Sequence, residues 1–378
     1  MTAGINRSRK ICHLTSVHVP FDTRIFHKEA RSLADAGYSV DLVAKHAIGE
    51  TLHGVCLIPL PMPRSELERI FRIAPATFLR AYRQKADLYH FHDPELLPVG
   101  ILLKLLTRGK VIYDVHEDYS EKIPRKTWLK GRVLKRMASA AYSFFERMAV
   151  TSLDHIVAVT DDIAAKYPAK KTTVIKNYVS LDMLDAIPPA KIDKTVPAAV
   201  YGGRLSLDRG AADMVNAVEM LGGEVELWLL GRWDAGVREY CETLPGWRYT
   251  RYLGAVTIEE ATGIYKAADI GMHCVQNNDF YLRGIPTKMF EYAACGIPAV
   301  ISRSPHWEKI FDRFALYSEP EDPVSIADRL KQLAGDSDLR TAMGRRARQF
   351  VTEERCWEGE AQKLIALYDR LLDNRDTT

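Results

Sequence analysis

Short apolar runs of strand length alternate along most of the chain with longer segments whose apolar residues recur every three or four positions. The runs ICHLTSV, SVDLVAK, VCLIPL, DLYHFH, KVIYDVH and HIVAVT predict strands, with helix-period segments such as FHKEARSLADAG between several of them. This is the pattern of a parallel sheet covered on both faces by helices. The rhythm breaks at MLDAIPPAKIDKTVP, residues 183 to 197, where prolines and mixed charge mark a linker. It restarts with AAVYGG, EVELWLL, YTRYLGAV, DIGMHCV, PAVIS and FALYS. The prediction is α/β: two Rossmann-like, doubly wound domains, one over residues 1–185 and one over 186–355. The helical segment WEGEAQKLIALYDRLLD, within 356–378, is expected to pack back towards the first domain.

Open α/β sheets bind ligands beyond the carboxyl ends of their strands, so the turns after the strands carry the candidate chemistry. In YGGRLSLDRG, Gly202 and Gly203 permit close backbone approach, and Arg204 and Arg209 offer planar donor forks suited to phosphate oxygens. A surface turn with solvated arginines is the alternative. The turn lacks G-x-G-x-x-G, which argues against a nicotinamide cofactor. In GIPTKMFEYAACGIPAVIS, Pro286 fits the first helical position, with Gly296 and Pro298 as the stop, and Lys288 and Glu291 share one face of the first turn. Unpaired N–H groups and the positive end of the helix dipole favour an anion there. The pair suits a sugar nucleotide, with diphosphate on Lys288 and ribose on Glu291; an ordinary surface ion pair is the other reading.

Composition narrows the class. With 378 residues, 47% hydrophobic and 27% charged, the chain is long enough for two ordinary globular domains. Its net charge of +3 is too small to argue for nucleic acid. MTAGINRSRK does not read as a secretory signal, and no apolar run approaches the roughly 18 to 20 residues of a membrane span, so a cytoplasmic protein is expected. The 6 cysteines are scattered without a C-x-x-C and read as free thiols. Charge is uneven, however. Arg125, Lys126, Lys130, Arg132, Lys135, Arg136 and Arg147 face a single acid, Glu146, with Trp128, Tyr142, Phe144 and Phe145 among them. Such a stretch suits an anionic membrane surface, or else a solvated helix whose aromatics are core.

The segment GGRLSLDRG resembles the G-R-L-x-x-x-K-G signature of the retaining GT-B glycosyltransferases of family 4, with Arg209 where that family usually has Lys. The resemblance continues through DTRIFHKEARSLADAGYSVDLVA, DLYHFHDPELLPVG, KVIYDVHEDY, VIKNYVSLD, LLGRW, YLGAVTIEEATGIYKAADI and the helix carrying Lys288. It implies two domains facing across a cleft, with a nucleotide-diphosphate sugar held mainly by the second. Arg204 and Lys288 would neutralise the leaving diphosphate, assisted by Arg209, and Glu291 would hold the ribose. The turn from Leu253 to Val256 would face the base, while Gly203 and Gly231 would leave room for the donor. A departure from the family is plain: the first carboxylate of an E-x7-E pattern is replaced by Arg283, and P-T-K-x-x-E is a variant associated with polysaccharide assembly.

In the first domain the resemblance implies a histidine near the donor sugar, for which His116 after KVIYDVH is favoured over His92. Alternation sends His90 and His92 to the same side of their strand. His92, Asp93 and Arg24 are the acceptor-side candidates, and Asp22 or Thr23 caps a helix beginning near Phe26. Neither a D-x-D turn nor metal-ligand spacing is evident around His90, His92 and His116, so no metal and no cofactor beyond the donor are expected. The expected reaction is a same-face transfer, without a protein nucleophile, to a saccharide or lipid-linked saccharide acceptor. A nucleotide-sugar epimerase or hydrolase, and a non-catalytic partner of another transferase, are the alternatives.

Overall fold

KICHL becomes β1 (Lys10–Leu14), the centre of the first of two sheets in a computed structural model that describes residues 9–65, 68–117, 119, 131–278, 281–282 and 284–373, without the side chains of 132 and 133. Contacts divide the chain into one unit of Met1–Asn177 with Trp357–Thr378 and a second of Tyr178–Cys356.

The first sheet adds β2 (Ser39–Lys45), β3 (Glu50–Leu52), β4 (Val55–Leu60), β5 (Leu88–Phe91), β6 (Lys110–Val115), β7 (His155–Ala158) and β8 (Thr172–Val174), in the order β3-β4-β2-β1-β5-β6-β7-β8. Every pairing is parallel except β3 with β4. The hairpin between these two turns at His53 and Gly54, both at positive φ. Strand order reverses between β1 and β5, which places the switch point where the turns carrying His18 and Asp93 leave the sheet. The C-terminal helix Trp357–Asp373 belongs to this unit, and its Leu364 and Tyr368 pack with Ile11, Leu42, Leu88 and Ile112.

The second sheet comprises β9 (Ala198–Gly202), β10 (Glu226–Leu230), β11 (Thr250–Tyr252), β12 (Ile270–His273), β13 (Ala299–Ser302) and β14 (Ala315–Ser318). It is wholly parallel in the order β11-β10-β9-β12-β13-β14, with its switch point between β9 and β12. Alternation sorts its side chains: Trp228 and Leu230 join Tyr292 and Phe311 on one face, while Leu227 and Leu229 join Met214 and Leu330 on the other. Both sheets are thus the two-sided parallel kind that continuous apolar runs specify.

The linker region has a definite allegiance. Ser180 caps the short helix Leu181–Asp185, and Leu181 and Leu184 enter the second unit's core. Lys266 Nζ donates to the carbonyls of Leu184 and Ile187, and Ala190 N donates to Gly263 O. The break in rhythm therefore lies inside the second unit, and the division by contacts falls earlier, after Asn177.

Trp307 is fully buried, and its Nε1 donates to the carbonyl of Gly284 at 2.7 Å, tying the segment before the Lys288 helix to the core. Trp307→Ala is expected to destabilise the second unit by about 3–5 kcal/mol, read as a lower urea midpoint.

Candidate functional site

Two glycine turns meet at the carboxyl edge of the second sheet. Gly203 follows β9 at φ +151 and Gly231 follows β10 at φ +124, a region that favours glycine. A Cβ on Gly231 would lie 1.8 Å from the Gly203 carbonyl oxygen, so the two turns touch backbone to backbone. Gly203 N donates to Leu230 O at 2.9 Å, Gly231 N to Gly254 O at 2.8 Å, and the Tyr252 hydroxyl to Gly231 O at 2.8 Å. These turns, with Arg204, Asp234, Val256 and Glu260, line a cavity of about 660 Å³. Leu253 packs against the core, while Val256 also reaches the cavity wall. Arg204 places a two-pronged fork on Asp234, at 2.6 and 2.7 Å, with its side chain 64% exposed.

Arg209 and Lys288 occupy a drier neighbourhood. The Arg209 guanidinium lies 5.3 Å over the Tyr281 ring, and Tyr281 donates to Asp208 at 2.6 Å. Gly210, at φ +72, sits so close to the end of β12 that a Cβ would fall 1.7 Å from Cys274 O. Lys288 Nζ donates to Glu291 Oε2 at 2.8 Å and stands 5.6 Å over the Tyr265 ring. The helix runs Thr287–Ala294, so Pro286 is its cap residue rather than its first turn. Burial, reinforced by the charges of Arg209 and Lys288, pushes His273 down to about 3. Both cations thus act at one buried imidazole. Arg209 Nε, Tyr265 OH and His273 Nδ1 are buried without a hydrogen-bond partner, which is unusual for polar atoms in a folded interior. The Tyr201 hydroxyl donates to Arg204 O at 3.0 Å, tying the turn after β9 back onto its strand.

In the first unit the neighbouring strands β1, β5 and β6 end in histidines and carboxylates. His116, just past β6, is partly exposed, with Nε2 3.1 Å from His92 Nδ1 and 3.3 Å from Asp114 Oδ2. His90 and His92 do share a side, but both are buried, and burial pushes His92 to about 4. Asp93 is buried as well: its Oδ2 accepts from Ser16 N at 2.6 Å, Val17 N at 3.1 Å and Thr15 Oγ1 at 2.9 Å. It therefore shapes the turn after β1. Arg24, expected as an acceptor or phosphate contact, is instead buried, with its donors committed to Asp114 and to Ile175 O. The reason is the helix start: Asp22 caps it by accepting from Arg24 N and Ile25 N, which directs the next side chain inward.

His18 was not singled out in the sequence. Its ring lies 3.3 Å from Asp22, 3.5 Å from Asp93 and 5.2 Å from the His116 ring. Burial opposes its charge, but Asp22 and Asp93 outweigh burial and raise its pKa. The available signal was its position four residues before a capping aspartate. Asp234 gave no comparable signal, because its pairing with Arg204 depends on which turns the sheet order brings together; Glu260 is held locally, as the carboxylate of a capping box with Thr257 that the T-x-x-E spacing marks.

The basic, aromatic stretch divides. Arg125, Lys126, Trp128 and Lys130 lie outside the described residues, as does Arg283. On the helix Arg132–Ser152, Phe144 and Phe145 are exposed, together with Leu134, Met137 and Met148, while Tyr142 is half-buried and donates to Glu146 at 2.9 Å. No described helix is long and apolar enough to cross a membrane.

Residues 23–177 match a family model described as a glycosyl transferase 4-like domain, and residues 210–366 match one described as glycosyl transferase-like. Over 126 residues the chain is 34% identical to a D-inositol 3-phosphate glycosyltransferase of Corynebacterium jeikeium, covering 33% of this chain and 29% of that protein. A Corynebacterium urealyticum protein of the same description is 32% identical over 137 residues, 36% of this chain and 31% of that protein. The chain therefore spans under a third of the length of these curated relatives. Among solved structures, sucrose-phosphate synthase from Thermosynechococcus elongatus has a TM-score of 0.70 at 17% identity, covering 97% of this chain and 100% of that one. Anabaena HepE in complex with UDP has a TM-score of 0.67 at 12% identity, covering 96% of this chain and 100% of that one. Each of the two units is thus a glycosyltransferase-type domain, and the chain has the GT-B fold.

Proposed function

We propose that the protein is a retaining glycosyltransferase that moves a sugar from a nucleoside-diphosphate donor to a saccharide, free or lipid-linked, in the assembly of surface polysaccharide or glycoconjugate. One observation carries the reading: at the carboxyl edge of the second sheet, Arg209 and Lys288 converge on unpartnered buried polar atoms, beside the Gly203–Gly231 contact and Arg204. A diphosphate supplies the acceptor oxygens that such donors lack. The UDP complexes of HepE support a nucleotide at this fold, and the D-inositol 3-phosphate named for the corynebacterial relatives supports a polyol acceptor.

Departure of the nucleoside diphosphate places growing negative charge on its terminal phosphate. Fixed cations aimed there stabilise that charge more in the transition state than in the ground state, and such a contact is typically worth about 3–4 kcal/mol. Lys288 and Arg204 take that role, with Arg209 already oriented by its stack on Tyr281. Glu291, next to Lys288, accepts the ribose hydroxyls. The leaving phosphate oxygen takes the acceptor proton, so no protein nucleophile is needed, and the fixed cations of Lys288 and Arg204 take the charge-neutralising role. His116, flanked by His18, is the first unit's catalytic candidate. The replacement of a family carboxylate by Arg283 is the one feature favouring a donor-binding, non-catalytic partner, and donor-dependent product formation separates the two readings.

The helix Arg132–Ser152 supports a peripheral contact with anionic membrane. Leu134, Met137, Phe144 and Met148 recur at helical spacing and are exposed, with Arg136 and Arg147 beside them.

Lys288→Ala and Arg204→Ala are each expected to lower turnover by about a hundredfold or more while the protein stays folded; near-native kinetics would remove them from the site. Within a thermal-shift panel of UDP- and GDP-sugars, one nucleotide class should stabilise the protein, and Gly231→Ala should abolish that shift because its Cβ collides with Gly203. Co-sedimentation with anionic liposomes is expected for the parent chain and should fall in Phe144→Ser/Met148→Ser; absence of binding by the parent chain ends the membrane reading.

A further inference from the structure

Three segments of the first unit bring three imidazoles and a carboxylate to one point in its interior. His13 lies on β1, His90 and His92 on and just after β5, and Glu29 on the helical stretch Thr23–Ala30; none is more than 2% exposed. Glu29 Oε2 lies 4.0 Å from His13 Nδ1, 3.9 Å from His90 Nδ1 and 3.9 Å from His92 Nε2. One carboxylate oxygen therefore caps a triangle of nitrogens at nearly equal distances. His13 Nδ1 and His92 Nε2 are 3.0 Å apart, and the four side chains each place a ligand atom within 4.8 Å of all the others.

The groups behind these atoms match a second layer of support. His92 Nδ1 lies 3.4 Å from Asp114 Oδ2, His13 Nε2 lies 3.3 Å from the Tyr368 hydroxyl, and Glu29 Oε1 lies 2.8 Å from Arg24 Nε. Metal-binding histidines characteristically engage their second nitrogen in this way. Glu29 Oε1 is taken by Arg24, but Oε2, the oxygen facing the three imidazoles, is buried without a hydrogen bond, so the cluster is not saturated by its own members.

We propose that His13, Glu29, His90 and His92 form a four-coordinate structural site for a divalent transition ion, zinc in the first instance. Bonds of about 2.0–2.1 Å in a tetrahedron put the donors roughly 3.3 Å apart, which requires each Glu29–imidazole distance to shorten by about 0.6–0.7 Å. Imidazole nitrogens select zinc-type ions over calcium or magnesium, which take oxygen ligands. The Tyr368 hydroxyl, 2.6 Å from His90 Nδ1, yields that lone pair to the ion and accepts from His13 Nε2–H instead. With four protein ligands and no exposed face, the ion clamps β1, β5 and the helix between them and takes no part in group transfer. The site is independent of the donor reading. Its ligands sit at positions 13, 29, 90 and 92, a dispersion that no short spacing rule detects.

The test measures metal in the full-length, untagged protein grown with added zinc and dialysed against metal-free buffer. About one zinc per chain is expected by mass spectrometry, falling at least tenfold in Glu29→Gln and His90→Ala and retained in His116→Ala. Cobalt loaded into the parent chain should give the intense visible bands of a tetrahedral ion, a readout that needs no variant to fold. Zinc below about a tenth of an equivalent with no cobalt bands would show the imidazoles joined only by hydrogen bonds, and overturns the proposal. Zinc unchanged in Glu29→Gln, or lost in His116→Ala, overturns this ligand set.

Discussion

The contact between Gly231 and the carbonyl of Gly203 fixes the geometry on which the second unit's site depends. With a Cβ there 1.8 Å from that oxygen, a side chain at residue 231 has nowhere to go, and the turns after β9 and β10 close together only without one. Sheet order makes the contact possible, because β9 and β10 are hydrogen-bonded neighbours running in the same direction. Their carboxyl ends then deliver Arg204 and Asp234 to the same cavity wall, and the switch point beside β9 delivers Arg209 against the end of β12.

The cations at this edge of the sheet are held in different ways. Arg204 and Asp234 form an exposed pair, the kind that contributes little to stability, so Arg204 can exchange its carboxylate for a phosphate at small cost. Arg209 is stacked on Tyr281 with one nitrogen buried and unpartnered, so its position is set before any ligand arrives. Lys288 lies between these cases, paired with Glu291 and about a quarter exposed. A site built this way keeps a fixed cation at the dry end and adjustable ones at the wet end. Under the proposed transfer, that arrangement suits a donor whose diphosphate gains charge as its bond to the sugar breaks.

Much of this was legible in the order of residues. Continuous apolar runs marked the parallel strands because both faces of those strands are covered, and glycine with arginine after β9 marked the turn because few other residues fit a close approach there. β3 and β8 were not legible: each is a three-residue strand without full burial, leaving almost no hydrophobic signature. Arg24 shows a different limit. Its sequence context, a capping aspartate at a helix start, is that of a solvent-facing or ligand-facing arginine, and only the long-range partners Asp114 and Ile175 turn it into a core residue. Leu181 and Leu184 make the same point about boundaries, since a break in rhythm locates an irregular segment without saying which core holds its ends.

Arg24, Glu29, Asp114 and the histidines amount to a charged, polar core beneath the carboxyl ends of β1, β5 and β6, where an α/β unit ordinarily buries aliphatic side chains. Charges taken out of water are tolerated only when each finds its counterpart, and removing one member of such a pair typically costs about 3–5 kcal/mol. Asp114 meets this condition, since Arg24, His92 and His116 all approach it. Glu29 meets it only in part: Arg24 lies beside one oxygen, the other faces three neutral imidazoles, and burial drives its pKa upward. With Arg24 satisfying only one oxygen, a carboxylate in that position must either hold a proton or share its remaining charge with a second cation. Which of the two it does decides whether the interior of the first unit is a network of hydrogen bonds or a metal clamp.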